Sequence, residues 1–131
     1  YFILMCDVIK LRSKDPKKQV GSCLVSLKDN RIISTGYNSL KQGSNDNIDW
    51  NDRELVHKLV LHSEVNTILY SNSKFENTVL YTNLSPCLQC IKLLIASNVK
   101  KIIFKEKYKD YLEVLEICKL YNIEIIEFKK K

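Results

Sequence analysis

Four residues in this chain have types and spacing that could do chemistry together. His62 and Glu64 stand two apart in His62-Ser63-Glu64, and after 21 intervening residues comes Pro86-Cys87-Leu88-Gln89-Cys90. Cys87 and Cys90 are three apart, which on a helical turn brings both thiols to one side. One His and two Cys make a three-ligand set for zinc with the fourth position left for water, as in catalytic rather than closed structural sites. Two thiolates also balance the charge of a dication. Glu64, two residues past the His, suits a proton shuttle beside that water. Taken singly the signals are weak: a lone C-x-x-C is common, and a lone His-x-Glu on a helix is mostly solvated surface. A structural zinc site would want a fourth protein ligand, which only His57 or another Cys could supply. A redox C-x-x-C would need no partner His-x-Glu. Together, in this order, the residues point to a catalytic metal site.

The elements that must position them are readable from periodicity. Residues 1–12 carry Phe2, Ile3, Met5, Cys6 and Ile9 at helical spacing, and Asp15-Pro16 ends that helix. Val20 to Leu27 is a β-rich run, Asp29-Asn30 a turn, and Arg31 to Thr35 a returning strand. Residues 36–52 form a long loop rich in Gly, Asn, Ser and Asp, of a length usually functional or disordered. The spacing predicts a helix over Leu55 to Leu69, with His62 at or near a helix start. A strand follows at Asn77 to Thr82, then a helix with Pro86 in its first turn running to about Ser97. Lys101 to Phe104 is a fourth strand, Lys109 to Leu120 a helix, and Ile123 to Phe128 a fifth strand. The last strands alternate with helices, so they should be parallel with right-handed crossovers. The expected fold is α/β, a three-layer αβα sandwich with a mixed five-stranded sheet whose last two strands are parallel.

Composition bounds the rest. The chain has 131 residues, 45% hydrophobic and 27% charged, which fits a single domain over 1–131 with a real core. No run of about 20 apolar residues could span a membrane, and no secretory signal is visible. A cytoplasmic location is expected (the host cytoplasm for a viral product). Tyr1 opens the chain without Met, which points to a few residues missing from the start. Of the five cysteines, Cys6, Cys23 and Cys118 lie in apolar runs and read as buried small hydrophobes. The net charge is +6, concentrated at the two ends, and only Arg12, Arg31 and Arg53 among the 21 cations are Arg. Nucleic-acid recognition favours Arg forks, so a Lys-rich solvated surface and a small anionic ligand explain the charge better than a polynucleotide does.

His-x-Glu with Pro-Cys-x-x-Cys resembles the signature of the zinc-dependent nucleotide and nucleobase deaminases, and the likeness extends over nearly the whole chain. Within that superfamily the sequence is most similar to the deoxycytidylate (dCMP) deaminases. Tyr1-Phe2, Arg12-Ser13-Lys14-Asp15-Pro16 and Gln19-Val20-Gly21 resemble that family's opening helix and first strand. Gly36-Tyr37-Asn38 resembles its loop after strand two, and His62-Ser63-Glu64-Val65-Asn66 its H-A-E-x-N. The helix between strands four and five also groups the chain with dCMP and tRNA deaminases, not with free-cytidine deaminases. Three departures stand out: Ser63 and Ser22 where Ala is usual, and Ser39 in place of Gly.

The resemblance implies one zinc ion held by His62, Cys87 and Cys90, with Glu64 as the catalytic proton carrier in converting dCMP to dUMP and ammonia, a step that feeds dTMP synthesis. The main-chain N–H of Ser63 would hold the base carbonyl, the Ser85 carbonyl would orient the exocyclic amine, and Asn38 would bind the sugar or base edge. Arg12, Lys107 and Tyr108 are the candidates for the phosphate. A homo-oligomer, often a hexamer, with dCTP and dTTP as effectors and 36–47 as an effector loop, is also implied, and dCDP or dCTP are further possible substrates. Two other classes share the motif: a tRNA adenosine or other polynucleotide deaminase, and an inactive zinc- or nucleotide-binding module.

Overall fold

The computed structural model describes residues 1–44, 47–71 and 77–129. Five strands form one sheet: β1 (Gly21–Ser26), β2 (Ile32–Tyr37), β3 (Thr78–Leu84), β4 (Val99–Glu106) and β5 (Glu124–Glu127), in the order β2-β1-β3-β4-β5. β1 pairs antiparallel with both β2 and β3, while β3, β4 and β5 run parallel. The mixed sheet and its parallel end are those expected from the alternation of strands and helices.

Side-chain alternation divides the core into two layers. On β1, Cys23 and Val25 face α1 (Phe2–Ile9), which buries Ile3 and Cys6 against β1 and β3. Leu24, on the opposite face, joins Leu80 of β3 and Ile102 of β4. Against this second face pack α3 (Ser63–Leu69), α4 (Leu88–Ala96) and α5 (Tyr111–Leu120), through Ile68, Ile91, Leu94, Val114 and Cys118. The result is a three-layer sandwich, with α1 below the sheet and α3, α4 and α5 above it. Asn98 and Asn122 follow α4 and α5 with φ of 62° and 57°. Asn tolerates the left-handed conformation that ends a helix at this position.

Two local expectations are corrected. The helix expected over Leu55 to Leu69 is two: α2 (Arg53–Leu59) and α3, with Val60 to His62 extended between them. Leu61 exchanges main-chain hydrogen bonds with Ser39, at 2.8 and 3.1 Å, so the loop after β2 takes the backbone groups a continuous helix would use. Periodicity does not register this, because no Gly or Pro marks the break between Leu59 and Ser63. Pro86 precedes the cap instead of lying in the first turn of α4: Cys87, with ψ of 172°, is the N-cap and the helix begins at Leu88. The region 36–47 forms the end of β2 and a turn, and its residues 45 and 46 lie outside the described residues. Among the described residues no helix is long and apolar enough to cross a membrane.

Candidate active site

His62 is the N-cap of α3, and Glu64 lies in that helix's first turn. Cys87 is the N-cap of α4, and Cys90 lies in its first turn, buried. The positions that begin two neighbouring helices therefore converge, because α3 and α4 pack together over the sheet. Gly36 of β2 lets α3 approach: a Cβ there would come within 2.5 Å of Thr67 Oγ1 and 2.6 Å of the Ser63 carbonyl. Asn66 ties the same helix down, its amide donating to the Tyr37 carbonyl at 2.8 Å and to Ser39 Oγ at 3.1 Å.

His62 Nδ1 lies 3.3 Å from Cys90 Sγ and 3.5 Å from Cys87 Sγ. Tetrahedral zinc, with Zn–N of about 2.0–2.1 Å and Zn–S of about 2.3 Å, sets N···S at about 3.6 Å. The three ligand atoms lie within 4.8 Å of one another. The donor set thus has the size and chemistry of a zinc site. Neither His57 nor a further Cys, Asp or Glu joins it among the described residues, so a fourth position is left open. The two thiols are unequal. A hydrogen bond from Cys90 draws Cys87 down to about 3 against the effect of burial, with His62 helping. The same bond and burial push Cys90 up. The pair shares a proton across the Cys87–Cys90 hydrogen bond, and a dication bound there would displace it.

His62 and Cys87 open onto a cleft whose empty space, its open mouth included, is about 630 Å³. Its wall includes Asn38, Ser63, Glu64, Ser85 and Tyr108, so five more of the sequence candidates meet the metal ligands in one place. Glu64 is buried, and its Oε1 accepts a hydrogen bond from Ser63 Oγ at 2.6 Å. Ser85 Oγ accepts from the Tyr108 N–H at 2.7 Å, which fixes the turn after β4 against the end of β3. Asn38 is largely committed to the backbone: it accepts from the Val20 N–H at 2.9 Å and donates to the Lys18 carbonyl at 2.7 Å.

Two candidates lie elsewhere. Arg12 stacks over Tyr37 at 5.2 Å and lines a separate depression on the other side of the β2 loop. The Lys107 ammonium lies 3.6 Å from Glu127 and 5.1 Å from the Tyr111 ring centre. The cleft instead carries Lys18 and Arg53, which spacing had not singled out. Arg53 forms a two-pronged pair with Asp15, at 2.8 and 2.9 Å. Lys18 stacks its ammonium 4.3 Å from the Tyr108 ring centre. Burial, then Lys109 and Arg53, lower its proton affinity against the pull of Asp15. Asp15 lay within the family-like opening stretch, but Lys18 is one Lys in a run and carried no signal.

A family profile described as the cytidine and deoxycytidylate deaminase zinc-binding region matches residues 1–106. The chain belongs to that deaminase family. Over 138 aligned residues the chain is 34% identical to human deoxycytidylate deaminase, covering 99% of this chain and 77% of the relative. The dCMP deaminase of cyanophage S-TIM5 in its apo form superposes with a TM-score of 0.79 at 20% identity, covering 97% of this chain and 94% of that one. The same phage enzyme in complex with dCMP and dUMP gives 0.76 at 21% identity, over 97% and 93% of the two chains. The sheet order and the flanking helices are therefore those of a dCMP deaminase fold. In a zinc-binding deaminase family, His62, Cys87 and Cys90 of this chain are the group positioned for the ion.

Proposed function

We propose that this chain hydrolyses the exocyclic amine of dCMP, giving dUMP and ammonia. The observation that carries the reading is the convergence of His62, Cys87 and Cys90 at a cleft whose wall includes the buried Glu64. The named human relative and the cyanophage complex with dCMP and dUMP support the choice of substrate.

Zinc, when bound, supplies Lewis acidity that makes water a nucleophile near neutral pH. Glu64 accepts the proton of the attacking water as oxygen bonds to C4 of the cytosine. It passes that proton to N3, and then carries another to the departing amine, so one water is consumed and one ammonia released. The main-chain N–H of Ser63 holds the base carbonyl, the Ser85 carbonyl orients the amine, and Asn38 lines the wall beside the sugar. At the mouth, Lys18 and Tyr108 meet the phosphate. Arg53 adds positive potential there while its own fork stays on Asp15. Lys18 replaces Arg12 and Lys107 in this role, since neither of those lines the cleft.

Replacing Glu64 by Gln tests the reading. Conversion of dCMP should fall by about 10²–10⁴-fold, the usual worth of a general acid–base group, with zinc still bound stoichiometrically. Near-wild-type turnover in Glu64→Gln would defeat the proton-carrier role. A panel of cytidine, CMP, dCMP, dCDP, dCTP and tRNA sets the phosphate number. The same reading holds that residues 1–131 form one deaminase domain, work in the cytoplasm and assemble as a homo-oligomer, a hexamer by resemblance. It also takes dCTP and dTTP as effectors, and rates measured with and without them test this.

A further inference from the structure

Ser22 and Ser63, two of the three positions at which the sequence departs from the resembled pattern, are in contact. Ser22 lies on β1 and Ser63 opens α3, 41 residues apart in the chain, and their hydroxyl oxygens are 2.7 Å apart. Ser63 Oγ is 2.6 Å from Glu64 Oε1, and Ser22 Oγ is 3.5 Å from the same oxygen. All three residues are buried, with exposures of 0% for Ser22, 1% for Ser63 and 4% for Glu64.

The direction of this chain follows from the inventory of protons. A carboxylate only accepts, so Ser63 gives its single proton to Oε1. Ser63 then has only lone pairs to offer Ser22, so Ser22 is the donor in the hydroxyl pair. The order is Ser22 to Ser63 to Glu64, and each link polarises the next. Oε1 is thereby held at the serine end, which makes the two carboxylate oxygens inequivalent. A proton placed on Oε1 would weaken the acceptor that Ser63 uses, whereas one on Oε2 leaves both hydroxyl links in place.

We propose that Ser22 and Ser63 are positioning residues that fix the rotation of the Glu64 carboxylate, so that Oε2 is the oxygen that handles the proton. The proposal rests on the reading of Glu64 as proton carrier, and it predicts an asymmetry between two serines that look alike in the sequence. Ser63 acts directly. Ser22 acts mainly by orienting the Ser63 hydroxyl at 2.7 Å, since its own approach to Oε1 is long at 3.5 Å.

The test is a double-mutant cycle of Ser22→Ala, Ser63→Ala and the pair, read in kcat, KM, zinc content and thermal unfolding. Ser63→Ala should lower kcat about tenfold, the scale of one charge-assisted hydrogen bond, with KM for dCMP within about twofold and zinc retained. Ser22→Ala should lower kcat about threefold. The double variant should match Ser63→Ala and not the product of the two, since coupled residues are non-additive. In unfolding, the double variant should recover part of the Tm lost in Ser63→Ala, because a lone buried hydroxyl costs more than none. A zinc-loaded, folded Ser63→Ala with kcat within twofold of wild type overturns the proposal, as do kcat losses that multiply. If wild type converts no cytosine nucleotide, the functional reading fails by itself. The unfolding cycle then judges the hydroxyl chain, and strictly additive Tm losses overturn it.

Discussion

At the scale of single residues, the chemistry of this protein is carried by side chains whose types cannot be exchanged. His62, Cys87 and Cys90 were readable from spacing because metal ligation needs these donors close together, and a His-x-Glu beside a Cys-x-x-Cys is rare by chance. Lys18 and Arg53 were not readable, since a surface Lys and a cleft Lys have the same sequence signature until the fold places them. The Asp15–Arg53 pair carries a prediction at this scale. Burial pushes the Asp15 carboxyl up, but the hydrogen bonds from Arg53 and from the N–H groups of Lys17 and Lys18, with the Arg53 charge, bring it below its ordinary value. A depressed carboxyl stabilises the fold above its unfolded value of about 3.9, and that contribution is lost as pH falls through the lower folded value. Asp15→Asn should therefore destabilise the fold at pH 7, with the partly exposed Arg53 side chain limiting the loss. The deficit relative to wild type should shrink as the pH drops below about 4. Urea unfolding at stepped pH reads this, and a deficit constant down to pH 2 would count against the pairing.

At the scale of elements, the site exists because two short helices begin at the same place. Most of the strands and helices were legible from hydrophobic period. The break between α2 and α3 was not, because it is made by a main-chain bridge between Leu61 and Ser39 and not by a Gly or Pro. That break puts His62 at a helix start. Pro86 lies just before the cap at Cys87 and not in the first turn of α4, a difference that sequence does not show because Pro is compatible with either position. Gly36 gives this scale its prediction. Its missing side chain lets the Ser63–Thr67 turn of α3 rest on β2, so Gly36→Ala must displace the helix that carries His62 and Glu64. Overpacking of this kind costs about 1–3 kcal/mol. Zinc affinity, measured by competition with a chromophoric chelator, should fall with it. Unchanged zinc affinity in a destabilised Gly36→Ala would show that α3 shifts as a body without moving His62 against the cysteines.

At the scale of the whole molecule, one helix covers the lower face of the sheet and leaves its own outer face apolar. Leu4, Val8 and Leu11 are 68%, 61% and 66% exposed and follow one another at helical spacing. Such a stripe is what a contact between copies would cover. If the proposed homo-oligomer uses it, Leu4→Glu with Val8→Glu should lower the mass seen by light scattering while leaving monomer unfolding nearly unchanged. The same mass for the double variant and wild type would place the contact elsewhere. The metal ligands have a reach of their own at this scale. α3 packs over the antiparallel half of the sheet, on β1 and β2, and α4 packs on β4 of the parallel half. His62 and the two cysteines meet across the seam between these halves. An ion gripped there ties segments distant in the chain, and its binding free energy adds to the cohesion of the folded state. Scarcity of zinc in a cell would then shorten the lifetime of the protein itself, so that the metal supply governs how many copies survive degradation as well as how fast each one works.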